Sequence, residues 1–86
     1  MDLIELGARI KTTRKAKGWS QTKLAQAAGV SRARLEALEN ARIAEIGFKP
    51  LLRLLHALGL DLRITEFNRG RPTLEDLTAE EAERNA

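Results

Sequence analysis

The chain has no cysteine and no tyrosine, and its 86 residues include one histidine, one tryptophan, two phenylalanines and two prolines. Without thiols it can form neither disulfides nor thiolate metal sites, which fits a reducing compartment. His56 has no second imidazole to complete a ligand set, so it reads as a surface or hydrogen-bonded histidine, and no metal or other cofactor is expected. No apolar run approaches the roughly 20 residues of a bilayer span, and the opening Met-Asp-Leu-Ile-Glu lacks the basic flank of a signal peptide. A cytoplasmic location with no membrane partner is expected. There is no G-x-S-x-G turn, no phosphate-cradling glycine loop and no carboxylate suggestively spaced from His56, so an enzyme is not expected.

What is present is positive charge, unevenly placed. Between Glu5 and Glu36 stand Arg9, Lys11, Arg14, Lys15, Lys17, Lys23, Arg32 and Arg34, with no acidic residue among them. Residues 1–67 hold twelve Lys or Arg against seven acids, and 68–86 hold three against five, so a body of +5 carries a tail of −2. A basic body attracts phosphate backbones through counterion release, whereas an acidic tail is repelled by them, so the two parts are expected to serve different partners.

Periodicity predicts four helices. Leu3, Leu6, Ile10 and Thr13 share one face of a helix over about 3–17, stopped by Gly18. Ser20 can cap a second helix whose inner face is Leu24, Ala25 and Ala28, with Trp19 folding onto it as a core residue rather than a base-stacking one. Gly29 suits the left-handed end of that helix, Val30 plugs the core, and Ser31 caps a third helix that turns Leu35 and Leu38 inward. Residues 41–49, with Ile43, Ile46 and Phe48, lack clean periodicity and read as a packed loop. Pro50 fits the first turn of a fourth helix, whose Leu51, Leu52, Leu54, Leu55 and Leu58 leave Arg53 and His56 on an exposed stripe before Gly59.

The period then changes. Leu60, Leu62 and Ile64 alternate with Asp61, Arg63 and Thr65, which predicts one strand over 60–67. A lone strand leaves unsatisfied amides and carbonyls, and the same strand of a second copy is the simplest partner for them. A domain this small also buries only about 60% of its unfolded surface, so help from a partner chain is expected. Two units result: a domain at 1–67 with a dimerising strand, and a mobile acidic tail at 68–86. Within the tail, short helices at 75–77 and 79–84 would have too few apolar residues to anchor them. Arg69-Gly70-Arg71-Pro72 has the core of a minor-groove AT-hook but reads better as a linker turn.

Leu6-Gly7, Arg14, Gly18-Trp19-Ser20-Gln21, Leu24-Ala25, Gly29-Val30-Ser31, Leu35 and Glu39-Asn40 together resemble the Xre family of helix-turn-helix regulators, related to phage Cro and repressor proteins. The resemblance covers residues 3–59 and implies a mainly α fold, a bundle of four or five helices. The strand at 60–67 in place of a final helix is similar to HipB-type antitoxins, which dimerise through a strand and carry a short C-terminal tail.

By position, the resemblance implies that Gln21 grips a phosphate and Thr22 touches backbone or base. Ser31, Arg32 and Ala33 would enter the major groove, and Arg34, Asn40 and Arg42 would sit toward the backbone. The chemistry agrees: Arg32 can donate two hydrogen bonds to guanine O6 and N7, and Ala33 can contact a thymine methyl, while Ala37 is too short to read a base by hydrogen bonding. Solvated charge is the plainer reading of Arg34 and Arg42. Arg14 and Glu39 occupy places that the family uses for an ion pair fixing the third helix.

The expected function is a homodimeric, sequence-specific repressor on a palindromic operator in double-stranded DNA. The HipB likeness implies a second task, neutralising a HipA-like kinase toxin through the exposed stripe of the fourth helix, the strand flank or the tail. The rivals are a stand-alone phage-type or restriction-controller regulator, and a protein-interaction adaptor whose basic face meets an acidic partner.

Overall fold

The computed structural model describes residues 1–67. They form four helices, α1 (Leu3–Ala16), α2 (Gln21–Ala28), α3 (Arg32–Glu39) and α4 (Phe48–Ala57). The first three begin on side-chain caps: Asp2, Ser20 and Ser31 accept from the amides of Glu5, Lys23 and Arg34. Each cap satisfies an amide that has no intrahelical partner. Ser20 and Ser31 act as their positions predict. Asp2 followed by Glu5 is itself a capping pattern, and the periodic reading of α1 passed over it.

All four helices end in the same way. The amides of Trp19, Val30, Arg42 and Leu60 reach back five residues to the carbonyls of Arg14, Ala25, Ala37 and Leu55, at 2.8–3.1 Å. This closure needs a left-handed residue just before the donor. Three helices supply glycine there; α3 supplies Ala41, at φ +59°. At Gly29, φ +66°, the closure turns the chain directly from α2 into the Ser31 cap of α3.

α2 packs on α3 and α4, and α1 packs on α3. Ile10, Leu24, Leu35, Leu38 and Leu54 are fully buried between them, and Ala25, Ala28, Leu55 and Leu58 complete the core. Val30, Trp19, Ile43 and Ile46 are partly buried against it. Gly7 is where α1 crosses α3, and no side chain would fit between Gly7 and the Leu38 carbonyl. Arg53 belongs to the exposed face of α4, yet its Nε donates to the Ala28 carbonyl at 2.8 Å and ties α4 to the end of α2.

Two expectations need correction. Phe48 is not part of a packed loop: Gly47, in extended conformation, starts α4 at Phe48, whose ring is exposed. Residues 60–67 form no strand in the single chain. Leu60 packs against the core and Leu62, Ile64 and Phe67 are exposed, because no partner strand exists among the described residues. The tail's proposed helices and the Arg-Gly-Arg-Pro segment lie outside the described residues. Among those described, no helix is long and apolar enough to cross a membrane.

Candidate nucleic-acid interface

The two helices joined at Gly29 present their N-terminal turns to solvent. Thr22 is exposed one residue into α2. Ser31, Arg32, Ala33 and Arg34 are all exposed at the start of α3. The Ser31 hydroxyl oxygen accepts from the Arg34 amide at 3.1 Å, which leaves its own O–H as a donor. Leu35, Leu38 and Glu39 face inward, so a rotation of 100° per residue directs Ala33, Ala37 and Asn40 outward. Arg32 and Glu36 lie along one flank and Arg34 along the other. Two alanines at the centre make a low ridge that can approach another surface closely, with guanidinium groups on both sides.

A buried ion pair fixes this ridge to α1. Arg14 donates from Nε to Glu39 Oε2 at 2.7 Å and from Nη2 to Oε1 at 2.9 Å. The side chains are 9% and 0% exposed, respectively. A third donor, Nη1, bonds the Trp19 carbonyl at 2.7 Å, so one guanidinium ties together α1, α3 and the entrance of α2. The hydrogen-bonded Glu39 carboxylate raises the Arg14 pKa above its ordinary value, against an opposing effect of burial. No buried side-chain polar atom among the described residues lacks a partner. The pairing implied by the resemblance at Arg14 and Glu39 is therefore present, and its geometry is a bidentate fork.

Gln21 joins the same cluster. Its Nε2 donates to Glu39 Oε1 at 3.1 Å, leaving the amide oxygen and a second N–H beyond that bond. The side chain expected at a phosphate is thus held from behind by the ion pair. Trp19 is half-buried against the core, with the Lys23 ammonium 4.7 Å from its ring centre, which accords with a packing role.

A second polar cluster lies at the far end of α3 and was not foreseen. Glu36 Oε1 accepts from Asn40 Nδ2 at 3.1 Å and pairs with the Arg42 guanidinium, while Asn40 Oδ1 accepts from Lys11 Nζ at 3.3 Å. The hydrogen bond from Arg42 is the main reason that the Glu36 carboxyl lies below its usual pKa, and the same contact raises that of Arg42. The four-residue spacing of Glu36 and Asn40 could have suggested their bond. The Arg42 contact depends on the left-handed turn at Ala41, which sequence does not announce. Asn40 and Arg42, both expected at the DNA backbone, are exposed and brought together here. His56 pairs with Asp61 at 3.1 Å on the surface, and no group of three His, Cys, Asp or Glu that could hold a metal occurs among the described residues.

Two capped helices around a glycine turn, the second opening on an exposed basic turn and locked from beneath by a buried fork, form a helix-turn-helix. A family model described as a helix-turn-helix domain matches residues 5–66, and the chain belongs to that family. Among solved structures, a chain of the SinR protein/SinI protein complex is 32% identical, with a TM-score of 0.62 over 65% of this chain and 54% of that one. The present chain thus spans about half the length of that relative. No curated protein matches it.

Proposed function

We propose that the protein is a homodimeric, sequence-specific repressor whose α3 enters the major groove, with two copies reading a palindromic operator at half-sites about 34 Å apart. The observation carrying this reading is the exposed Ser31-Arg32-Ala33 turn on a helix fixed by the Arg14–Glu39 pair. Arg32 would donate to guanine and Ala33 meet a thymine methyl, with Ser31 and Thr22 at neighbouring base edges. Gln21, Arg34, Asn40 and Arg42 would hold phosphates. In a mobility-shift titration, the protein's own upstream region is expected to outcompete random duplex; equal affinity for both would overturn the reading.

The dimer is supported by the exposed Leu62, Ile64 and Phe67, which follow a groove of about 310 Å3 lined in part by Leu6, Leu55, Leu60 and Leu62. Pairing of residues 60–67 across two copies would satisfy their backbone groups and cover these side chains. Sedimentation at micromolar concentration is expected to give twice the chain mass, and a monomer there would contradict the dimer.

A second task, as the HipB-like antitoxin of a HipA-like kinase toxin, rests on the resemblance and on the acidic tail. The similar SinR protein also occurs in a complex with another protein. Co-expression with the product of a neighbouring kinase-like reading frame is expected to relieve that kinase's toxicity. Failure to relieve it, or the absence of such a gene, would remove the antitoxin role and leave a stand-alone regulator.

A further inference from the structure

Glu36 is the one acidic side chain on the outward half of α3, and no part of the DNA-binding reading gives it a task. It stands one turn beyond Arg32 on the same flank and is partly exposed. A carboxylate on a helix meant for a polyanion carries an electrostatic cost, so its contacts call for an explanation. Its Oε1 takes two donors, Asn40 Nδ2 and the Arg42 guanidinium, and Asn40 in turn takes Lys11 Nζ. Two phosphate-binding chemistries, from the end of α3 and the following loop, thus meet on a single anionic oxygen, and a third, Lys11 of α1, is linked to it through Asn40.

A carboxylate and a phosphodiester offer a guanidinium much the same thing: a planar or tetrahedral pair of anionic acceptors that a fork can grip. We propose that Glu36 is an internal stand-in for a DNA phosphate, holding Arg42 and Asn40 in the unbound protein and giving Arg42 up to the backbone when duplex docks. This rests on the DNA-binding reading above.

The energetics permit the exchange. The Arg42 and Glu36 side chains are 60% and 35% exposed, so solvent screens their pair and it adds little to stability. A phosphate can displace it, yet each encounter with DNA must first do so. Glu36 therefore acts as a positioning residue through Arg42 and sets a threshold against loose attachment. The Ala41 turn gives the device its geometry, because the Arg42 amide is held on the Ala37 carbonyl at 2.8 Å and the guanidinium lies back against Glu36 in the last turn of α3.

The alternative, that Glu36 merely repels DNA at a distance, makes a different prediction, and a double-mutant cycle separates the two. Binding of the full chain to a random-sequence duplex is measured across a salt series for the wild type, Glu36→Gln, Arg42→Ala and the double variant. Releasing Arg42 in Glu36→Gln is expected to raise affinity about five-fold and steepen the slope of log K against log salt by up to about 0.9, the value for one added phosphate contact. In the Arg42→Ala background the same change is expected to alter affinity less than two-fold and leave the slope unchanged. An equal gain in both backgrounds would overturn the proposal, since simple repulsion needs no Arg42.

A readout without DNA keeps the inference distinct from the function it builds on. By carboxyl NMR, Glu36 is expected to titrate below the ordinary range in the wild type and to move upward in Arg42→Ala. An unchanged titration means that Arg42 is not held, and the proposal fails even if DNA binding stands. Conversely, a depressed titration in a protein that binds no duplex would show the tether intact and would overturn its use as a phosphate mimic along with the DNA-binding reading.

Discussion

Gly7 and Leu38 touch backbone to backbone: a Cβ on Gly7 would lie 2.0 Å from the Leu38 carbonyl oxygen. That contact sets how closely α1 lies on α3, and thereby places Arg14 within reach of Glu39. Backbone cannot give way as a flexible side-chain end can, so Gly7→Ala must push the helices apart. We predict a loss of about 3 kcal/mol in urea unfolding, at the upper end of overpacking costs. Wild-type stability in this variant would contradict the close crossing.

Removing the fork itself should be as damaging. Arg14→Met leaves a fully buried Glu39 carboxylate with Gln21 as its remaining side-chain partner and deprives the Trp19 carbonyl of its donor. The expected cost is about 3 kcal/mol, as for other buried pairs broken on one side. A thermal melt showing no loss would remove the pair from its structural role.

Ala41 gives the opposite sign. It is a non-glycine residue at φ +59°, in a place where the other three helices use glycine. Ala41→Gly should relieve left-handed strain worth roughly 1 kcal/mol, offset in part by glycine's greater freedom when unfolded. We expect a net gain of about 0.5 kcal/mol in the free energy of urea unfolding. A loss would mean that the turn is not strained.

Acid should act partly through Asp61. The hydrogen bond from His56, followed by that from the Leu62 amide, holds its carboxyl below the ordinary range. The folded state then binds this proton less readily than the unfolded chain. Its contribution is fully present above the ordinary carboxylate range and is lost as pH falls through the lowered folded value. Stability of Asp61→Asn should therefore fall less steeply on acidification, and identical acid profiles for variant and wild type would contradict this.

Much of this architecture is written locally. Ser20, Gly29 and Ser31 fix helix ends through chemistry confined to a few neighbouring residues, and Leu24, Ala25, Leu35 and Leu38 mark inward faces by spacing alone. Features that depend on two distant segments were illegible. Gly7 looks like any glycine until Leu38 lies against it, and Arg53 like any exposed cation until the Ala28 carbonyl comes within 2.8 Å. Phe48 misled because a large apolar residue in an aperiodic stretch suggests burial, whereas the helix begins there with its ring outward. The alternation at 60–67 suggested a strand, and the described residues form none there. At the candidate interface, the exposure of Arg32 and Ala33 at the start of α3 was readable from spacing, but Gln21's bond to Glu39 and Arg42's to Glu36 were not, because both join residues that only the folded α3 brings together.

The central claim is that the first turn of α3 reads bases. Selection of duplexes from a random library by the wild type and by Arg32→Ala and Arg34→Ala tests it most directly. The account predicts that the wild type enriches one palindromic motif, that Arg32→Ala loses preference at a single base pair in each half-site, and that Arg34→Ala binds more weakly with the motif unchanged. No enriched motif with the wild type, or the same motif at undiminished strength after Arg32→Ala, would contradict it.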